Sequence, residues 1–272
     1  MAVVLEAMNR GKFGREDYLK YFDSAVFLKT FHCDGQETSI AIKTHFHFIV
    51  LFPFVNNKSN QWKLTGRRLL DIGTGPTIHT VISASNCCDT IYLSDFAPQN
   101  RETLRKWLKG SLQHSFRSFF QYVVDREGKG ELPSDREAML KDKIVGIFPL
   151  DLLQAEPLLP SLFPTFDINT SSLCMKVAAP DLAGYEIIAR SVGKLLKEGG
   201  HIALFGVPEG SFYQVGSHIF YCLKISGEQV QEIWKRSGFK IVGWMQNASL
   251  GQHDTSLSDF EGVFHMVAQK SL

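Results

Sequence analysis

Neither sign of charge is in real excess in this chain: 29 lysines and arginines meet 28 acids, a formal net charge of +1. That balance offers no basic field for nucleic acid and no acidic tail. Cysteine is sparse, five in 272 residues and none in C-x-x-C spacing, which excludes a disulfide scaffold and suits reduced thiols in a cytoplasmic setting. The adjacent Cys87-Cys88 reads as packing rather than redox chemistry. Long hydrophobic runs are missing too. The longest, Phe46 to Val55, is broken by His47 and Pro53 and is too short to span a bilayer. Met1 to Glu6 holds too short an apolar stretch for a secretory signal, so the sequons at Asn57, Asn169 and Asn247 read as chance. His45 and His47 have no third ligand in pattern, so no metal site is expected. Repeats, low-complexity segments, a Ser/His/Asp constellation and paired carboxylates are all lacking.

What is present is a core and one motif. With 44% hydrophobic content the chain can bury a sizeable core as one α/β domain. The run Arg68-Leu69-Leu70-Asp71-Ile72-Gly73-Thr74-Gly75-Pro76-Thr77 takes an apolar strand into a glycine turn. Asp95 follows Gly75 by 20 residues, closing a second apolar run from Ile91. This is how a doubly wound sheet binds a nucleoside: the glycines admit the ligand to the backbone, and the acid accepts from the ribose hydroxyls. A dinucleotide fingerprint would need a third glycine where Ile78 stands, and Pro76 removes an amide that a pyrophosphate would use. Asp71 before the glycines suits a ligand with a cationic amino-acid end. The balance points to S-adenosylmethionine rather than NAD.

The pattern predicts strands over 67–72, 91–94, 143–150, 166–171 and 201–207, and a final pair over 239–246 and 262–269. Helices are expected over 77–85 and 98–109, from near Pro180 to a Gly199-Gly200 C-cap, and from a capping box at Ser226 to Ser237. The segment 116–143, with its charged loop from Gly128 to Asp135, reads as an insertion of irregular and helical structure. The first 63 residues carry aromatics in an irregular pattern (Phe13, Tyr18, Tyr21, Phe22, Phe27, Phe31) and read as short helices capping the core, joined to it by a polar linker over 56–61.

The run Asp71 to Ile78 resembles the first motif of one methyltransferase family, the group of nicotinamide, phenylethanolamine, indolethylamine and thioether methyltransferases. The resemblance continues through Ser94 to Arg101, Lys106 to Lys109, Leu173-Cys174-Met175, Ala179 to Leu182, Leu195 to His201, Gly262-Val263-Phe264 and Ala268-Gln269-Lys270. It implies a Rossmann-like, seven-stranded class I methyltransferase sheet whose last two strands pair antiparallel. The whole chain is then one domain, a helical cap over 1–63 and a core over 64–272. It also implies transfer of a methyl group from S-adenosylmethionine to the nitrogen of a small amine or N-heterocycle, by a cytoplasmic monomer. Thioether S-methylation and a non-catalytic, cofactor-binding role are the alternatives.

By the same resemblance, Gly73 and Gly75 form the cofactor turn with Thr74 beside the methionine moiety. Asp95 holds the ribose, and Asn100 lies near that sugar or the methionine carboxylate. Asp151 and Leu152 flank the adenine, although Asp151 could simply end a strand. Ser172 fills a position usually held by threonine or another small residue. The family's tyrosine after Gly-Pro-Thr-Ile is His79 here, and the cap tyrosines align with Phe27 and with Phe31-His32, while Tyr18 is retained. Either histidine could donate a hydrogen bond or simply pack. In the acceptor pocket the family's acids align with Gly206, Lys176, Gly210 and Ser258, a serine becomes Cys222, and Tyr213 is kept. Glu209 and Asp259 stand one position from lost acids and could partly replace them. Lys176 would suit a neutral or anionic acceptor, or could face solvent.

Overall fold

The computed structural model describes residues 15–32, 64–158, 160–161, 163–248, 256–260 and 262–271. The His45/His47 pair, the linker over 56–61, the Asn57 sequon and most of the expected cap lie outside the described residues.

Seven strands form one sheet: β1 Gly66–Ile72, β2 Cys88–Asp95, β3 Ile144–Pro149, β4 Phe166–Ser172, β5 Leu196–Gly206, β8 Phe239–Ala248 and β9 Gly262–Lys270. Their order is β3-β2-β1-β4-β5-β9-β8. The first five are parallel, and β9 runs antiparallel to both β5 and β8. Chain order reverses direction between β1 and β4, so a crevice opens beyond their carboxyl ends, where open α/β sheets hold ligands. A two-stranded hairpin, β6 Phe212–Val215 with β7 His218–Tyr221, stands apart from the sheet.

Alternation along β1 explains the layers. Leu69 enters one buried cluster with Ile78, Leu104, Trp107, Phe120 and Leu140, while Leu70 and Ile72 enter another with Tyr185, Ile188, Val192 and Trp234. Two apolar faces on one parallel sheet require helices on both sides. One layer is α3 Pro98–Leu108, α4 Arg117–Glu127 and α5 Pro133–Lys143. The other is the short α6 Met175–Ala178, α7 Leu182–Leu195 and α8 Gly227–Arg236. The cap contributes α1 Arg15–Tyr21 and α2 Ser24–Phe31. No described helix is long and apolar enough to cross a membrane.

Local signals start these helices as expected. Pro98 opens α3 where its missing N–H is harmless, and the Ser226/Gln229 capping box opens α8. Elsewhere the structure corrects the reading. The helix expected over 77–85 is two short 3-10 turns, His79–Val81 and Ala84–Asn86. The helix near Pro180 ends at Leu195 rather than at a Gly199-Gly200 cap, because β5 starts at once. Phe166 pairs with Leu196 but Ile168 with His201, so the glycines sit in an irregularity inside β5. The segment 116–143 is regular after all, a helical hairpin stapled by Arg136. That fully buried guanidinium donates to Glu127 and Glu131, at 2.6 and 2.5 Å, and to the Ile82 carbonyl at 3.4 Å. Asn169 is wholly buried, so its sequon could not be glycosylated in the folded chain.

Candidate functional site

The loops after β1, β2 and β4 converge. Gly73 and Gly75 both have left-handed backbones, φ +66° and +68°, a conformation costly for other residues. A Cβ on Gly73 would lie 2.2 Å from the Cys174 sulfur, so glycine is doubly required there. A Cβ on Gly75 would meet nothing within 4 Å, leaving open space beside that backbone. Thr74 is buried and points inward: its N–H donates to Ser94 O at 2.9 Å, and its hydroxyl lies 3.3 Å from Asp71 O and Ser94 N. Only its carbonyl, which also accepts from Thr77 Oγ1 at 3.3 Å, keeps a position for a ligand.

Asp95 is the hub. Oδ2 accepts from Gly75 N at 2.8 Å, and Oδ1 accepts from Ala97 N at 2.8 Å and Asn100 Nδ2 at 3.0 Å. A carboxylate offers about four acceptor positions, so Oδ2 keeps one to spare. Burial pushes its pKa up, and these donors hold it down. Asn100, fully buried, accepts from Ser24 Oγ at 2.7 Å and donates to the Tyr18 phenol at 3.2 Å. Gln99 donates to the carbonyls of Leu19 and Phe22, at 3.2 and 3.3 Å. The cap is thus tied to the loop that carries Asp95.

Asp71 does not face the crevice as expected. It is fully buried, accepting from Thr170 Oγ1 at 2.6 Å and Thr80 Oγ1 at 2.9 Å, and burial raises its pKa to about 6. Its charge can act on the site only through space. Ser172, ending β4, is different: its hydroxyl oxygen is shut from solvent with no partner among the described residues.

The cap's aromatics knit to the hairpin. The Tyr18 ring lies 4.6 Å from Phe22 and 5.8 Å from Phe220, and Tyr213 stacks on Phe220 at 5.4 Å. Burial raises the pKa of both tyrosines, so both phenols stay protonated. Phe27 packs against Phe22, Phe31 and His32. His32 stacks on His79 at 5.3 Å, and His79 Nδ1 shares a hydrogen bond with Thr77 Oγ1 at 2.8 Å. Burial lowers both histidine pKa values, that of His79 to about 3, which keeps both rings neutral. They close the cap onto the β1 turn by packing.

At the other end of the crevice Asp151 accepts from Arg15 of α1 and from Leu153 N at 3.1 Å, and the Arg15 guanidinium lies 4.6 Å over the Phe96 ring. Leu152 beside it is buried. Asp151 therefore lies two residues past the end of β3 and caps the turn that follows, while also holding α1.

The expected acceptor residues divide. Tyr213 is within electrostatic reach of Cys222, Cys174 and Asp95. Lys176 does not face solvent: it is 5% exposed, donating to Val207 O at 3.0 Å and to Gly210 O, with Cys222 as a further hydrogen-bonding neighbour. Gly206 offers no side-chain subsite, because a Cβ there would lie 2.5 Å from the Phe264 ring. The two substitute acids already have partners. Asp259 accepts from Ser211 N, Ser211 Oγ and Phe212 N at 2.7, 2.6 and 3.1 Å, and the half-exposed Glu209 faces Lys224 at 3.9 Å. Sequence reasoning missed Ser24, Arg15 and Phe264, whose roles depend on contacts distant in sequence. Among the described residues no group of three metal-ligating side chains occurs.

Comparison with known proteins gives a consistent result. A family model described as the NNMT/PNMT/TEMT family matches residues 11–271. Human phenylethanolamine N-methyltransferase is 34% identical over 76% of this chain and 75% of that protein. Human nicotinamide N-methyltransferase is 29% identical over 97% of this chain and 98% of its own length. Among solved structures, magnesium protoporphyrin IX methyltransferase from Synechocystis PCC 6803 aligns with a TM-score of 0.56 at 14% identity, covering 95% of this chain and 100% of that one, a likeness of fold alone.

Proposed function

The chain belongs to the NNMT/PNMT/TEMT family, and on that premise we propose that it methylates a nitrogen of a small N-heterocycle or amine in the crevice beyond β1, β2 and β4. It is an S-adenosylmethionine-dependent methyltransferase with the class I sheet. One domain, acting as a cytoplasmic monomer, is the reading we adopt for the rest of its organisation.

Three features of the crevice fit the cofactor: the open space beside Gly75, the spare acceptor position on Asp95, and the Ser172 hydroxyl, which has no partner among the described residues. Of these, the Asp95 hub carries the reading, since a buried carboxylate fixed by three donors with one position left is suited to a ribose hydroxyl. Asn100 and Tyr18 would extend that contact, and the backbone of Gly73, Thr74 and Gly75 would line the methionine end. Leu152 and Asp151 would flank the adenine. Phe27, His32 and His79 would form an apolar wall, and Tyr213 would stand between cofactor and acceptor.

When bound, the cofactor supplies a methyl group already activated on a sulfonium, which a neutral nitrogen can attack directly. The chain's own task is to hold the acceptor in line and exclude water. Orientation of this kind can supply about 7–11 kcal/mol. Neutral Tyr18 and Tyr213, with the aromatic contacts joining cap and hairpin, serve that exclusion. The test is transfer of labelled methyl from S-adenosylmethionine to panels of pyridines, amines and thioethers. N-methylated product is expected; transfer confined to thioethers, or to no acceptor, would contradict the proposal.

A further inference from the structure

Lys176 is the buried charge that the reading above leaves unexplained. Its side chain is withdrawn from water, yet among the described residues it forms no ion pair. Two hydrogens go to the carbonyls of Val207 and Gly210, and the third partner is the Cys222 sulfur, a weak acceptor. Buried charges are normally paired. The two nearby acids, Asp259 and Glu209, act on it only through space: Asp259 is turned to three donors from Ser211 and Phe212, and Glu209 lies 3.9 Å from Lys224.

The location matters as much as the missing partner. Cys174, two residues before Lys176, packs on Gly73 of the cofactor turn, and Cys222, whose sulfur lies 3.6 Å from the same Gly210 carbonyl, follows the hairpin that pairs Tyr213 with Phe220. The ammonium therefore stands at the hairpin side of the crevice, on the carbonyls of Val207 and Gly210. We propose that Lys176 is a specificity residue that receives a carboxylate on the methyl acceptor, so that the substrate is an acid-bearing N-heterocycle or amine. The carboxylate takes the hydrogen now turned to the Cys222 sulfur and provides a counter-charge in direct contact. Burial lowers the lysine pKa, and an anion beside it would raise it again, so binding of the acid is favoured while the amine is protonated. A cationic amine meets the opposite situation, a buried like charge.

This inference rests on the methyltransferase reading, and the experiment separates the two. The full-length protein, saturated with S-adenosylhomocysteine, is titrated calorimetrically with pyridine-3-carboxylate, pyridine-3-carboxamide and 2-phenylethylamine, and turnover of each is measured with S-adenosylmethionine. The carboxylate should bind at least tenfold more tightly than the carboxamide, and the amine most weakly. Lys176→Met should cut the carboxylate-to-carboxamide affinity ratio by tenfold or more, while Lys176→Arg should keep the order. Binding of S-adenosylhomocysteine to each variant reports whether it is folded. Equal affinities, a preference for the amine, or no detectable binding of any of the three to the S-adenosylhomocysteine complex would overturn the Lys176 assignment alone. Failure of the unmodified protein to bind S-adenosylhomocysteine would overturn the reading of the site itself. If Lys176→Met does not fold, Cys222→Ser decides: a hydroxyl that competes for the ammonium should weaken the carboxylate severalfold, and an unchanged carboxylate affinity would count against the proposal.

Discussion

Asp71 should make the fold less stable at neutral pH, and its amide variant should be the more stable protein. The carboxyl is fully buried between two threonine hydroxyls, and its folded pKa rises from 3.8 to about 6. A raised folded pKa means that the native state favours the protonated form. The group's contribution is therefore complete below the unfolded value near 3.8 and is lost as pH rises through about 6. A difference of about two units, at about 1.4 kcal/mol each, puts the charged form at a disadvantage of about 3 kcal/mol at pH 7. An asparagine side chain in its place would carry no charge and could accept from one hydroxyl while donating to the other. Allowing about 1 kcal/mol for the rearranged hydrogen bond, Asp71→Asn should gain about 2 kcal/mol at pH 7.5. Urea unfolding from pH 4 to pH 8 is the assay, and the gap between variant and parent should shrink toward pH 4. A less stable variant, or a gap independent of pH, would refute the reasoning. The same substitution should weaken S-adenosylmethionine more than S-adenosylhomocysteine, because only the former carries the sulfonium charge that a nearby anion attracts.

Two further outcomes follow from packing. Both side-chain amide atoms of Asn169 are buried without a partner among the described residues, in a strand position flanked by Leu70 and Ile202. Asn169→Leu should stabilise the protein by about 1–3 kcal/mol, seen as a higher melting temperature; a lower one would mean that a buried water satisfies the amide. Gly206→Asp should not build an acceptor subsite, since its Cβ would press on Phe264, which stacks on Trp244 at 4.9 Å. Overpacking of this kind costs about 1–3 kcal/mol, and a variant as stable as the parent with new carboxamide turnover would contradict that.

The sheet was legible in the sequence because its signals are local. Apolar runs, the glycine turn, Asp95 and the Ser226 capping box each act within a few residues, and they locate the strands and the switch point between β1 and β4. The segment after Pro76 misled because apolar spacing alone does not distinguish a helix from successive 3-10 turns. The Gly199-Gly200 pair misled in the same way, since glycines interrupting a strand resemble glycines ending a helix. Within the site, Asp95 and Asn100 come together as expected, but what surrounds them was hidden. The Ser24–Asn100 hydrogen bond spans 76 residues, and the Arg15–Asp151 pair spans 136. The burial of Lys176 depends on carbonyls at Val207 and Gly210, whose positions only the loop geometry sets. The alignment that puts a family acid at Gly206 likewise gives no information about the Phe264 ring that fills the space beside it.

The most direct test of the central claim is calorimetric titration of S-adenosylhomocysteine into the full-length protein and into folded Asp95→Ala. The hub at Asp95 predicts tight, saturable binding at one site per chain and a loss on the order of 2 kcal/mol in the variant, as for a charge-assisted hydrogen bond removed. Unchanged affinity in a folded Asp95→Ala would contradict the account and leave Asp95 as no more than the cap of its own turn.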